Sequence, residues 1–141
     1  MKGLNNPGNI RHGKSKWQGM SADQPSKGFV KFDSLDMGYR AMWILLSNHY
    51  HLHGCTTVAR MIAQWAPPCE NRTTDYIQHM AQYMGIGPYA QLPPPGHGGT
   101  LWLRFAQRMT NIEQGIPLAQ VNDAAIRRGF RLAFGRVLEE A

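Results

Sequence analysis

The sequence predicts a mainly α-helical domain with a small irregular β lobe at its start. Three observations carry that expectation. The length, 141 residues, fits one domain spanning 1–141, and 43% apolar residues suffice for one core. Residues 1–34 are dense in turn chemistry and lack a helical period. From Ser34 onward, apolar residues recur at helical spacing between good capping residues.

In the first lobe, Asn5-Asn6-Pro7-Gly8-Asn9, Arg11-His12-Gly13-Lys14, Gln18-Gly19 and Gln24-Pro25 all favour turns. The alternating piece Gly28-Phe29-Val30-Lys31-Phe32 reads as a small strand or half a hairpin. Ser34 then caps a largely buried helix carrying Leu35, Met37, Tyr39, Met42, Trp43, Leu45, Leu46 and Tyr50, and Gly54 stops it. Thr56 or Thr57 caps a shorter helix, Val58 to Trp65, which Pro67-Pro68 ends. A third helix starts near Thr73 and runs to Gly85. Residues 87–99 form a Gly/Pro loop, too short to divide domains. Thr100 is expected to cap a fourth helix, Leu101 to Glu113, closed by Gly115 and Pro117. A fifth is expected from about Val121 to Leu138.

Composition narrows the function classes. No apolar run approaches the roughly 20 residues of a membrane span, and Met1-Lys2-Gly3-Leu4 does not resemble an export leader. The expected product is made in the cytoplasm without a signal peptide. Fifteen Lys+Arg against nine Asp+Glu give a net charge of +6, which favours a polyanionic partner such as nucleic acid, a membrane surface or the acidic bacterial wall. Six of the basic residues (Lys2, Arg11, Lys14, Lys16, Lys27, Lys31) lie in the first lobe. Two cysteines, Cys55 and Cys69, are too few for a disulfide framework, and two unpaired thiols are expected.

Phosphate-binding glycine loops, a Gly-x-Ser-x-Gly elbow and His-Glu-x-x-His are all missing, so no cofactor is expected. His49 and His53 share a helix face one turn apart, a spacing two zinc ligands use, but histidines also suit a helix C-terminus, and no metal is expected. The carboxylates offer more. Glu70 follows the rigid turn Trp65-Ala66-Pro67-Pro68, and Glu113 ends the fourth helix. A glutamate at a helix C-terminus meets the negative end of the dipole, which favours its acid form and suits a general acid. Trp17 and Trp65, near loops rich in Asn, Gln and Arg, hint at a sugar-stacking surface.

Several motifs then form an ordered set: Asn5-Asn6-Pro7-Gly8-Asn9-Ile10-Arg11, Trp17-Gln18-Gly19, Phe32-Asp33-Ser34, Gly38-Tyr39-Arg40-Ala41, Trp65-Ala66-Pro67-Pro68, Glu70-Asn71, Thr74 and Tyr76. Over residues 3–85 the set resembles a family of small phage and prophage proteins that are virion-associated or degrade cell walls. The closing helices, Met109 to Gly115 and Ile126 to Ala133, resemble that family too. More distantly, the motifs are similar to bacterial glucosaminidases and lytic transglycosylases of the lysozyme-like superfamily. There the acidic helix precedes the Asn-rich segment, whereas here only four residues precede Asn5 and Ile112-Glu113-Gln114-Gly115 comes late. The resemblance therefore implies a lysozyme-like α+β domain in permuted order, with the Leu101–Glu113 helix beside the N-terminal lobe.

What it implies for function is cleavage of the β-1,4 glycan of peptidoglycan, by a phage lysin or a secreted antibacterial effector. Glu113 would be the acid, with Glu70 or Asp33 as second carboxylate. Asn5, Asn6, Asn9 and Arg11 would bind sugar amides or the peptide stem. Trp17 would stack, with Trp65, Asn71 and Tyr76 completing the substrate surface. The alternative is a non-catalytic virion or wall-binding component in which the motifs hold the fold. Nucleic acid is not the expected partner, since no reader helix or RNA-stacking signature appears. The expected partners are peptidoglycan together with a phage particle, a holin or a secretion machine, and the site of action is the periplasm and cell wall or a virion.

Overall fold

The computed structural model describes residues 3–66 and 72–140, and its element order is five helices with one short 3-10 turn. The first, α1, spans Leu35–His53. The Ser34 hydroxyl accepts the Met37 N–H at 3.2 Å, and Gly54 ends α1 in the left-handed conformation. This helix is buried on two sides, so it needs apolar residues nearly all round. Tyr39, Met42, Trp43 and Leu46 enter the main core, while Ala41 meets Ile10, Val30 and Phe32 of the N-terminal lobe.

Thr57 caps α2 (Val58–Trp65), which buries Val58, Met61 and Ile62. Next come α3 (Thr73–Met84) and α4 (Leu101–Gln114), which contribute Tyr76, Met80, Trp102, Phe105 and Met109 to the same core. Full burial of each such side chain contributes about 2 kcal/mol. The loop between α3 and α4 packs rather than dangles: Leu92 is buried, and Trp102 donates its indole N–H to the Pro93 carbonyl. Finally α5 (Asp123–Phe134) lies across α1, where Trp43 donates to the Ile126 carbonyl at 3.1 Å.

The mainly helical class agrees with the sequence, and three local expectations need correction. The fifth helix is shorter than Val121–Leu138. Val121 is extended after the 3-10 turn Leu118–Gln120, Asn122 caps through its side chain to the Ala125 N–H, and Gly135 terminates. Thr100 precedes α4 but makes no side-chain cap bond. The first lobe has no extended strand among the described residues, only isolated antiparallel bridges at Arg11–Phe29 and Met20–Phe32.

The reason is side-chain competition for the backbone. The Gln24 amide donates to the Ser21 and Lys31 carbonyls and accepts the Lys31 N–H. The Asn6 amide does the same with Ile10 and Val30. Those groups would otherwise serve a ladder. The lobe docks on α1 at Gly38, where the Asn5 carbonyl occupies the space a Cβ would need. Cys69, and hence its pairing with Cys55, lies outside the described residues.

Candidate functional site

The site forms where the end of α4 meets the Asn5–Asn9 loop. That loop reverses sharply: Asn5 and Asn9 both have positive φ (53° and 51°), a conformation asparagine tolerates better than other side-chain-bearing residues. Gly8 is required by proximity, since a Cβ there would lie 2.6 Å from the Trp65 ring, and Trp65 donates its indole N–H to the Gly8 carbonyl at 2.9 Å. On the other side Gln114 clamps the loop, its amide nitrogen lying 2.8 Å from the Asn6 carbonyl, 3.0 Å from that of Pro7 and 3.1 Å from Asn9 Oδ1.

This clamp delivers Glu113. The Asn9 amide donates to Glu113 Oε1 at 3.0 Å and to the Glu113 carbonyl at 2.9 Å. The Tyr76 hydroxyl of α3 donates to Oε2 at 2.9 Å. Two opposing effects set the carboxyl's protonation. Burial pushes its pKa up, and the bonds from Asn9 and Tyr76, with Arg11 nearby, pull it down; burial prevails, so it titrates above the ordinary glutamate value. The same burial and the adjacent carboxylate hold the Tyr76 phenol well above its usual value, so it stays a donor.

A cleft of about 510 Å³ opens over Glu113. One wall is Gly8, Asn9, Ile10 and Arg11 with Gly13, Ser15, Trp17 and Phe29, and the other is Leu45 and His49 of α1 with Gln64 and Trp65 of α2. Glu113 is the only carboxylate lining it among the described residues. His49 is 9% exposed, its ring meets Trp65 edge-on at 5.8 Å, and its Nδ1 has no hydrogen-bond partner. Burial, reinforced by His53, lowers its pKa to about 4, so the imidazole is neutral at pH 7.

The predicted site residues thus divide. Glu113, Asn9, Arg11, Trp17 and Trp65 meet at the cleft. Tyr76 lies behind the carboxyl and positions it, and is not on the cleft surface. Asn6 is buried with its amide committed to loop backbone, which leaves it no part in holding a sugar. Asn5 donates to the Phe32 carbonyl and faces a second hollow of about 250 Å³ on the far side of the loop. Asp33 is exposed, accepts from the Ser21 hydroxyl at 2.8 Å and does not line the cleft. Glu70 and Asn71 lie outside the described residues.

Sequence reasoning missed Gln114 as the clamp and His49 as a wall residue. For His49 the signal was present, since Met42, Leu45, Leu46 and His49 fall on one helical face. Among the described residues no group of three or more His, Cys, Asp or Glu could hold a metal ion, and no helix is long and apolar enough to cross a membrane.

No family model matches the sequence. The chain is similar to protein P5 of Pseudoalteromonas phage PM2, at 33% identity over 85 residues. The match covers 58% of this chain and 53% of that protein, so the chain spans about half the length of its relative. The relative is a phage protein.

Proposed function

We propose that the chain cleaves the β-1,4 glycan of peptidoglycan, with Glu113 as general acid, in a phage setting. The observation that carries this reading is a carboxyl with a raised pKa, fixed by Asn9 and Tyr76 in a cleft flanked by Trp17 and Trp65. Glu113 would protonate the glycosidic oxygen as the C1–O4 bond breaks, leaving an oxocarbenium-like centre at C1. The muramic 6-hydroxyl then attacks C1 and returns its proton to the Glu113 carboxylate, so one residue serves as acid and then base. That route uses Glu113, the one carboxylate lining the cleft among the described residues; a hydrolytic route would use Glu70 as the second.

Docking of the α4 end on the Asn5–Asn9 loop supports a lysozyme-like arrangement in permuted order, because it brings a helix-ending glutamate beside the Asn-rich segment. Similarity to a phage protein supports a virion-borne or lysin role. A non-catalytic virion component is the second reading. It is favoured by the bonds that both Glu113 oxygens accept, one from the Asn9 amide and one from the Tyr76 hydroxyl, which equally describe a clasp between lobe and helix.

Mass spectrometry of purified Gram-negative peptidoglycan, incubated with wild type and with Glu113→Gln, separates the readings. Anhydro-muropeptides from wild type alone establish the transglycosylase, and reducing-end products establish a hydrolase. An intact wall after wild-type treatment, or an active Glu113→Gln, overturns the assignment.

A further inference from the structure

We propose that His49 is a substrate-binding residue of the cleft, donating its Nε2–H to an uncharged oxygen of the bound strand from the α1–α2 wall. The inference rests on the glycan-cleaving reading and adds to it a contact on the wall that carries no carboxylate. His49 continues the stripe of Met42, Leu45 and Leu46 on α1, where an apolar side chain would pack without loss. An imidazole at such a position gives up its hydration and is left in need of a partner. The protein supplies none. His49 is 9% exposed, its Nδ1 is sealed from solvent, and neither ring nitrogen bonds to a protein group.

With Nδ1 sealed, Nε2 is the nitrogen left to the cleft that His49 lines. A buried N–H without a partner is rarer in proteins than a buried lone pair without one, so the proton belongs on Nε2 and the lone pair on Nδ1. The ring is neutral at pH 7, because burial and His53 oppose a positive charge there. It therefore offers the cleft one uncharged donor, flanked by the apolar faces of Leu45 and Trp65. The donor is also firmly placed. The Gly54 and Cys55 N–H groups both close on the His49 carbonyl, and Trp65 meets the ring edge-on at 5.8 Å. Trp65 in turn donates to the Gly8 carbonyl, so one indole sets the spacing between this donor and the loop that holds Asn9. A preorganised donor discriminates, since a ligand lacking the oxygen leaves a polar group unpaired in the closed site. A sugar hydroxyl and an acetamido carbonyl both carry such an oxygen, whereas an ammonium group at the same place would oppose the N–H.

Imidazole nitrogen NMR of the full chain at pH 7, with His49 assigned by its loss in His49→Phe, should show Nε2 protonated and Nδ1 bare. A protonated Nδ1 overturns the proposal, whatever the protein cleaves. Glu113→Gln, chosen to stop turnover, is then titrated with peptidoglycan tetrasaccharides. The Nε2–H signal should shift to saturation; saturable shifts elsewhere in the cleft that leave it unmoved overturn the contact. No saturable shift anywhere overturns the contact and the glycan reading together. A shifted Nε2–H, in a protein whose wild type cuts no sacculi, overturns cleavage and keeps the contact. De-N-acetylated tetrasaccharides identify the oxygen: a lost shift assigns the acetamido carbonyl, and a retained one a hydroxyl. In kinetics, His49→Phe should raise KM about tenfold with kcat within about twofold. His49→Gln, whose amide N–H falls near the place of Nε2–H, should return KM to within about threefold of wild type. An unchanged KM in His49→Phe overturns the contact.

Discussion

His49 should make the protein acid-sensitive by an amount that can be worked out. Its pKa falls from 6.5 to about 4 on folding because burial strips the imidazolium of water and His53 opposes a second positive charge nearby. The unfolded chain therefore takes up this proton first. Stability from the group is present above pH 6.5 and is lost as pH falls toward 4. A fall from 6.5 to about 4, which leaves the folded group half-titrated at pH 4, corresponds to about 3 kcal/mol between pH 7 and pH 4. His49→Phe keeps a flat ring against Trp65 and removes both the proton site and the orphaned Nδ1. Urea unfolding of both proteins at the two pH values isolates the contribution as a double difference. Wild type should lose about 3 kcal/mol more than His49→Phe on acidification. Parallel losses, within 0.5 kcal/mol or so, would refute the claim that this imidazole is buried and neutral.

Three further outcomes follow from the same geometry. Gly38→Ala should abolish the cooperative thermal transition or lower stability by more than about 3 kcal/mol, because its methyl would meet the Asn5 carbonyl, whereas Gly13→Ala, with open space around it, should stay within about 0.5 kcal/mol by urea denaturation. Tyr76→Phe removes a donor that favours the ionised carboxylate, so the pH–rate profile for muropeptide release should shift its upper limb to higher pH; an unmoved limb would detach Tyr76 from the carboxyl's titration. Glu113→Gln should raise the melting temperature at pH 8. A carboxyl whose pKa is raised by burial contributes stability below its unfolded value, and that contribution disappears as pH rises through the folded one. A lower melting temperature at pH 8 would instead favour the clasp.

Local chemistry was the legible part of this chain. Ser34, Thr57, Gly54, Gly85 and Gly115 mark helix ends by interactions within four or five residues, and the sequence displays all of them. Glu113 was legible too, as a glutamate ending a helix. Its partners were not, since Tyr76 lies 37 residues away and Asn9 lies 104 away, and no periodicity links them. The asparagines misled for a physical reason: an amide that could hold a sugar can equally replace a strand partner, and Asn6 does the latter. The fifth helix was overextended because Val121 and Leu138 are apolar. Leu138 is indeed buried, but from coil beyond Gly135.

The clamp between Gln114 and the Asn5–Asn9 loop joins segments more than 100 residues apart. Closing so long a loop comes late in folding, after local helices have formed. The carboxyl would then be desolvated and oriented only when both distant segments have arrived. Cut in the loop at residues 87–99, the chain would give one half holding Asn9, Tyr76 and Trp65 and the other holding Glu113 and Gln114. Neither half contains the site. Reassociation of the two would be reported by recovery of the pocket itself, which makes this protein a natural candidate for a split reporter of its own assembly.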